Sequence, residues 1–381
     1  MTTMANRHIV PDIDKLATDW VLQWLSLDDP DGRAEWERIW AAGHHKRPQD
    51  HPAYLQLVRP EGYETAAVVY RHGSAGTVLY PFFHVLINRL PGFGAVQRPL
   101  RHLCSPYGYG GALYEGDPQS ADAASKRFER LFGAELRERG FVSEFVREDL
   151  FEERLAVRDD GERTVQQDNV VIRLQRDPED IWNHYGHTIR TDVRRASRAG
   201  LRLEVDHDFE RLDDFLGAYY ETMQRRGADP YFYMPRQHFM VLRESFGSHA
   251  ATALLHVRDG RETLASALVL YSADTLYGFL TASRQSAREK RPNHFMHHSA
   301  ILWGREKGMR WYVLGGGIAP NDGLFRFKSG FDPGHTLPFR LRRVLHNPHA
   351  CQMLNDVRGR HEQAQGREWT PRAGFFPPYL A

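Results

Sequence analysis

Lysine is scarce in this chain: of fifty basic residues among 381, six are lysines and forty-four are arginines. A GC-rich coding sequence accounts for the bias, yet it makes each lysine worth placing. Cysteine is scarcer still, with Cys104 and Cys351 alone. That excludes a disulfide framework and a cysteine-based metal site. No apolar run reaches the length of a membrane span, and the opening MTTMANRHIVPDIDK lacks the hydrophobic segment of a signal peptide, so a cytoplasmic location is expected. A net charge of +1 rules out a general polyanion-binding surface and leaves any nucleic-acid contact to a local patch. Gly-x-Ser-x-Gly, a Walker loop, a strand-flanked dinucleotide fingerprint and a heptad run are all missing. What remains is ordinary globular composition, 41% hydrophobic and 26% charged, in a chain longer than one core usually serves.

The stretch from Trp311 to Phe331 organises the rest. A short apolar strand, Trp311 to Leu314, runs into Gly315, Gly316 and Gly317, where the backbone can turn through φ > 0 and let another molecule approach its amides. Asn321-Asp322-Gly323 then signals a turn. Arg326 and Lys328 lie two apart between Leu324, Phe325 and Phe327, which in extended geometry sets both cations on one face. Taken alone, such a stretch is equally a Gly-rich loop between core strands.

Before it, the chain reads as alternating helices and strands. Residues up to Gly43 are expected to be helical (WVLQWLSL, then AEWERIWAAG behind Asp29-Pro30), followed by strands YLQLV, TAAVVY and TVLYPFFHV with a turn from Arg71 to Gly76. Ser105 to Gly111 (SPYGYGG) sets Tyr107 and Tyr109 among glycines, including Gly110, as a pocket wall or a plain aromatic turn. A helix ending at Gly140 and the strands FVSEFVRE and DNVVIRLQ follow. Beyond Asp177-Pro178, Arg190, Arg194 and Arg198 stand four apart on one helix face, repelling one another unless solvent or an anion answers them. The later helices and the meander ATALLHV, TLASALVLYS and DTLYGFLTAS repeat the first half's order. His294, His297 and His298 are helix-spaced with no carboxylate or cysteine among them, a packing cluster rather than a metal site. Glu221 and Arg225 read as a helical ion pair.

LGGG, then DGLFRFKSGF, preceded by HSAILWGREKGMRWYVL, resembles the C-terminal region of the FemAB-like transferases, and SPYGYGG and HTIRTDVRRASRAGL extend the resemblance from about Asp50 to Val344. The resemblance implies a mixed α/β (α+β) fold of two tandem GNAT-like domains, each a mainly antiparallel sheet flanked by helices; the coiled-coil arm of some family members is not expected, since no heptad run is present. Expected bounds are 1–175, 176–346 and a C-terminal tail at 347–381. It also implies transfer of an amino acid from aminoacyl-tRNA to an amine, on a peptidoglycan precursor or a small molecule, with no cofactor and no metal. By this resemblance Phe327 and Lys328 hold the aminoacyl end and assist transfer. Tyr107, Tyr109, Gly110, Asn293, Gly315, Gly316, Gly317, Asp322 and Arg326 are the expected substrate contacts, with Asp322 favoured as a turn residue, and Arg190, Arg194 and Arg198 the tRNA contacts. The alternative is an acyl-CoA or carrier-protein thioester donor. Against it, the segment after DTLYGFLTAS, RQSAREKRPNHFMHH, has cations but no glycine to cradle a pyrophosphate. The oligomeric state is left open, with a monomer compatible.

Overall fold

Period-two alternation sorts the strand side chains to two faces of one sheet. In the computed structural model, which describes residues 20–72, 76–156, 158–246 and 252–381, Val69, Val171 and Leu254 point to one face while Val68, Val170 and Leu255 point to the other. The first half runs β1 (Trp20–Ser26), α1 (Pro30–Ala42), α2 (Pro52–Val58), β2 (Glu64–His72), β3 (Gly76–Leu86), β4 (Arg101–Cys104), β5 (Leu113–Gly116), α3 (Ala121–Glu138), β6 (Phe141–Arg147) and β7 (Glu162–Arg173). The second runs α4 (Pro178–His184), α5 (His187–Arg198), β8 (Arg202–Asp206), α6 (Leu212–Arg226), α7 (Arg236–Phe246), β9 (Thr252–Asp259), β10 (Glu262–Tyr271), β11 (Thr275–Ser283), α8 (Pro292–Glu306), β12 (Trp311–Gly315), α9 (Gly323–Ser329) and β13 (Thr336–Leu345). Helix α10 (Pro348–Ala364) opens the tail.

The strands form a continuous sheet in the order β1-β2-β3-β4-β6-β13-β7-β12-β11-β10-β9-β8, with β5 beside β3. Pairing is antiparallel except for β4 with β6 and β11 with β12, one parallel step in each half. The last strands of the halves are exchanged. β7 closes the first half yet pairs with β12, and β13 closes the second yet inserts between β6 and β7. One core runs along the first face through both halves, gathering Trp36, Tyr54, Phe215 and Val313. The second face is split between a cluster beneath α3 and one beneath α5 and α8. The tail straps onto the body: Tyr379 is buried and its hydroxyl lies 2.6 Å from Ser143 Oγ.

Three local expectations are corrected. WVLQWLSL is not helical but contains edge strand β1, whose alternate residues pair with β2 from Trp20 opposite His72 to Ser26 opposite Ala66. YLQLV is not a strand but lies in α2, because Pro52 occupies its first turn and His51 Nδ1 accepts the Ala53 amide at 3.1 Å. The segment around Arg326 and Lys328 is helix α9, not extended chain, because Asp322 caps it. Residues two apart on a helix point apart, so those two cations do not share a face. Of the expected 71–76 turn, residues 73–75 lie outside the described residues. Pro81, in a strand that reads as central, falls where β3 has no partner on one side, between its contacts with β5 and β4.

Candidate active site

The site begins where β11 and β12 part. They pair over Thr275 to Tyr277 and Trp311 to Val313, while on its other side β12 stays paired with β7 from Trp311 to Gly315, which stands opposite Val170 with φ +77°. The left-handed backbone favours glycine there, and at the next position a Cβ on Gly316 would displace the side chains of Gln167 and Asn169 from β7. The loop's carbonyls point at polar side chains. Lys328 Nζ donates to Gly316 O at 2.7 Å, and Gln167 Nε2 donates to Gly317 O at 3.1 Å.

Lys328 reaches the glycines because α9 starts where it does. Asp322 accepts the amides of Phe325 (2.7 Å), Ile318 (2.8 Å) and Ala319 (3.2 Å), which fixes both the loop and the first turn. The Phe325 amide, with its neighbours, holds the Asp322 carboxyl below its usual range. Burial brings the Lys328 ammonium down to about 8, with Asp322 pulling it up and Arg226 pushing it further down. Two of its three N–H bonds remain beyond the one to Gly316. Phe327 turns away into a ring cluster with His294 (4.9 Å between centroids), Phe331 (5.5 Å) and His297 (5.6 Å). His297 Nδ1 lies 3.0 Å from Tyr312 Oη, and burial, reinforced by Lys328, keeps that imidazole neutral with a pKa of about 3.

The first half supplies the opposite wall. A Cβ on Gly315 would stand 3.6 Å from Lys328 Nζ and 3.7 Å from Tyr109 Oη, so ammonium and phenol flank one point from separate halves. Asn169 Nδ2 donates to Tyr109 Oη at 2.8 Å, while Asn169 Oδ1 and Tyr277 Oη are buried and have no hydrogen-bond partner among the described residues. Burial raises the Tyr109 and Tyr277 phenols, so both stay protonated. Tyr107 is 40% exposed and sits on an aromatic floor, edge-on to Phe232 at 5.9 Å. Gly110 is internal: its amide donates to Arg147 O at 2.7 Å and its carbonyl takes Arg47 Nη1 at 3.1 Å. Arg326 donates to Asn321 O at 2.7 Å, and Asn293 Nδ2 to Ser283 Oγ at 3.2 Å.

The arginine stripe docks beside this site. Gly186, at the start of α5, donates to Gly330 O at 2.8 Å, just past α9, and Asp192 contacts Arg291 and His294 of the α8 start at 3.2 Å each. Arg194 and Arg198 are exposed, Arg194 lying over Trp182, while Arg190 is partly spent on the carbonyls of Asn183 and Tyr185. The histidine cluster is accounted for by Asp192, Tyr312 and Tyr185.

Residues 184–329 match the acetyltransferase (GNAT) domain family. No curated protein matches the chain. Among solved structures, FemX is similar with a TM-score of 0.63 at 12% identity, over 84% of this chain and 98% of FemX. The fold is FemAB-like. The C-terminal domain of a putative lysylphosphatidylglycerol synthetase from Agrobacterium fabrum follows at TM-score 0.50 and 13% identity, over 84% of this chain and 94% of that one. A conserved protein of unknown function from Bacteroides thetaiotaomicron reaches 0.50 at 12% identity, over 82% and 97%.

Within the FemAB-like fold the structure adds residues that sequence reading missed. Gln167 and Asn169 lie against the glycine lip, Tyr277 stands 6.0 Å from Tyr109 ring to ring, and Arg226 lowers the Lys328 ammonium. The signal for two of them was present, since Gln167 and Asn169 are polar at period two in a strand that enters the core.

Proposed function

We propose that the chain transfers an aminoacyl group from aminoacyl-tRNA to the amine of an acceptor, such as a peptidoglycan precursor or a small molecule. The ester carbonyl lies at the Gly315 lip, where the amine nitrogen attacks carbon, and Lys328 donates to the oxyanion that forms. The C–O bond to the ribose then breaks. The proton lost by nitrogen ends on the departing hydroxyl, so the step balances without a co-reactant. Tyr109, held by Asn169, closes the wall on the other side, and Arg194 and Arg198 on α5 meet tRNA phosphates.

One observation carries the choice of donor. At the segment before α8, where an acyl-CoA pyrophosphate would need open amides, Glu221 accepts the Gln285 amide at 2.9 Å and lies 3.3 Å from Arg284. That amide is already spent on a carboxylate, and no glycine in the segment lets its neighbours approach a pyrophosphate closely. The acetyltransferase-type match and the parting of β11 from β12 favour the second reading, an acyl-CoA or carrier-protein thioester. Turnover with a panel of aminoacyl-tRNAs against a panel of acyl-CoAs separates the two. Amide product is expected from the first panel alone; acyl-CoA turnover together with saturable CoA binding in calorimetry overturns the proposal.

A further inference from the structure

The parting strands and the glycine lip leave one cation of the first half unexplained. On β6, Val146 points into the core beneath α3, so Phe145 and Arg147 point to the opposite face, the one Tyr109 covers. The Arg147 guanidinium stacks over the Phe145 ring at 4.9 Å. Among the described residues no carboxylate or carbonyl takes a hydrogen bond from it. Arg147 is half-buried, and arginines buried more deeply are treated differently: Arg47, Arg154, Arg158 and Arg342 each meet a carboxylate at 2.9 Å or closer.

What surrounds Arg147 is aromatic. Tyr54 donates to Tyr107 O at 2.8 Å and its ring lies 5.4 Å from Phe279, which a β-bulge in β11 pushes out of register. Phe279 in turn lies 6.4 Å from Tyr107. Burial raises the phenols of Tyr54, Tyr107 and Tyr231, and the charge of Arg147 opposes the rise in all three, as expected for neighbours. Tyr107 and Tyr109 are two residues apart on one loop, so the aromatic floor runs from Arg147 towards the lip where Lys328 and Tyr109 face each other. It is an apolar surface, partly open to solvent, with an unanswered fork of donors at one end.

We propose that this floor binds the acceptor: an amine with an apolar or aromatic body whose anionic group, a carboxylate or a phosphate, is held by Arg147 while its nitrogen is directed to the lip. The assignment rests on the aminoacyl-transfer reading for its direction, and its test does not depend on the donor. An ion-paired fork gives a charged ligand an advantage that a neutral analogue lacks. The probes are L-phenylalanyl-L-phenylalanine and its C-terminal amide, which share an amine and two rings and differ in the carboxylate. Calorimetry on the full chain is expected to show the free acid binding about tenfold tighter or better. Arg147→Met, which keeps an apolar stem over Phe145, brings the ratio close to one; Arg147→Lys keeps a smaller preference. Thermal unfolding of both variants verifies that they are folded. Benzoate or phenyl phosphate, whichever displaces the free acid better, distinguishes a carboxylate from a phosphate ligand. Equal affinities in the wild type, binding of neither peptide at millimolar concentration, displacement by neither anion, or an unchanged ratio in folded Arg147→Met overturns the assignment. Failure of transfer from every aminoacyl-tRNA, with the peptide preference intact, sinks the donor reading and leaves the Arg147 site standing.

Discussion

In the first half, β4 and β6 run parallel from Arg101 to Cys104, and the seam stays closed beyond them. Ser105 N reaches Phe145 O at 2.9 Å and Gly110 N reaches Arg147 O at 2.7 Å. In the second half, β11 and β12 run parallel for three residues and then part at Gly315. Each seam ends in glycines whose carbonyls meet a cation. Arg47 takes Gly110 O and Gly111 O at 3.1 and 2.9 Å, is fully buried, and is neutralised by Asp50 at 2.7 Å and Asp149 at 2.8 Å. Lys328 takes Gly316 O alone, is partly buried, and has no carboxylate within ion-pair distance among the described residues. One parallel step thus has its cation saturated, as a scaffold does, and the other, the proposed site, has a cation that keeps spare donors in a partly dry setting.

Removing the saturated cation should have the largest effect. Arg47→Met strands two buried carboxylates and is expected to cost about 3–5 kcal/mol, measured by denaturant unfolding. Loss of under 1 kcal/mol would erase the distinction between the seams. Lys328→Ala should do the reverse, slowing single-turnover transfer by about two to three orders of magnitude with little change in thermal stability. Near-normal transfer by that variant would move the centre of the site to the Tyr107 and Tyr109 wall.

The pH dependence sharpens the contrast. Since the Lys328 ammonium titrates at about 8, its positive charge and one N–H are lost as pH rises through that value, while the acceptor amine gains nucleophilicity over the same range. Once the acceptor amine is fully deprotonated nothing offsets that loss, so the wild-type rate should pass through a maximum and fall at higher pH, and Lys328→Arg, which cannot deprotonate, should lose that falling limb even if slower overall. A falling limb that persists in Lys328→Arg assigns it to another group. Gly316→Ala should shift Gln167 and Asn169 and slow transfer roughly tenfold, whereas Gly110→Ala, crowding Ser105, should affect stability alone, by about 1–3 kcal/mol. The smallest expected effect lies at the rim. Arg194→Glu or Arg198→Glu should each flatten the salt dependence of tRNA binding by about one unit of log–log slope. Arg190 is a poorer probe because its guanidinium also ties down two backbone carbonyls.

Much of this was legible locally. The apolar, β-branched and aromatic runs TAAVVY and DTLYGFLTAS, the cap at Asp29, and the helix carrying the arginine stripe depend on near neighbours, and the structure agrees with each. Ambiguity arose where a short segment fits two periods. Phe-Arg-Phe-Lys alternates like a strand, and the Asp322 side chain decides for helix by taking the Phe325 amide. WVLQWLSL satisfies a helical spacing as well, and only its pairing with β2 decides otherwise. The opposite wall of the site was illegible for a different reason. Gln167 and Gly317 are 150 residues apart, and Asn169 and Tyr109 are 60 apart, so no local pattern joins them. The three glycines marked the lip; the partners that line it come from sheet order.

The exchanged strands also set a timetable for synthesis. Residues of β6 and β7 leave the ribosome long before β13, yet they are not paired with each other, and the strand that joins them ends at Leu345. Until that residue has cleared the exit tunnel, the nascent first half presents two open sheet edges. The sheet therefore cannot be completed domain by domain as the chain emerges; its central seam closes only once the second half through β13 has been made.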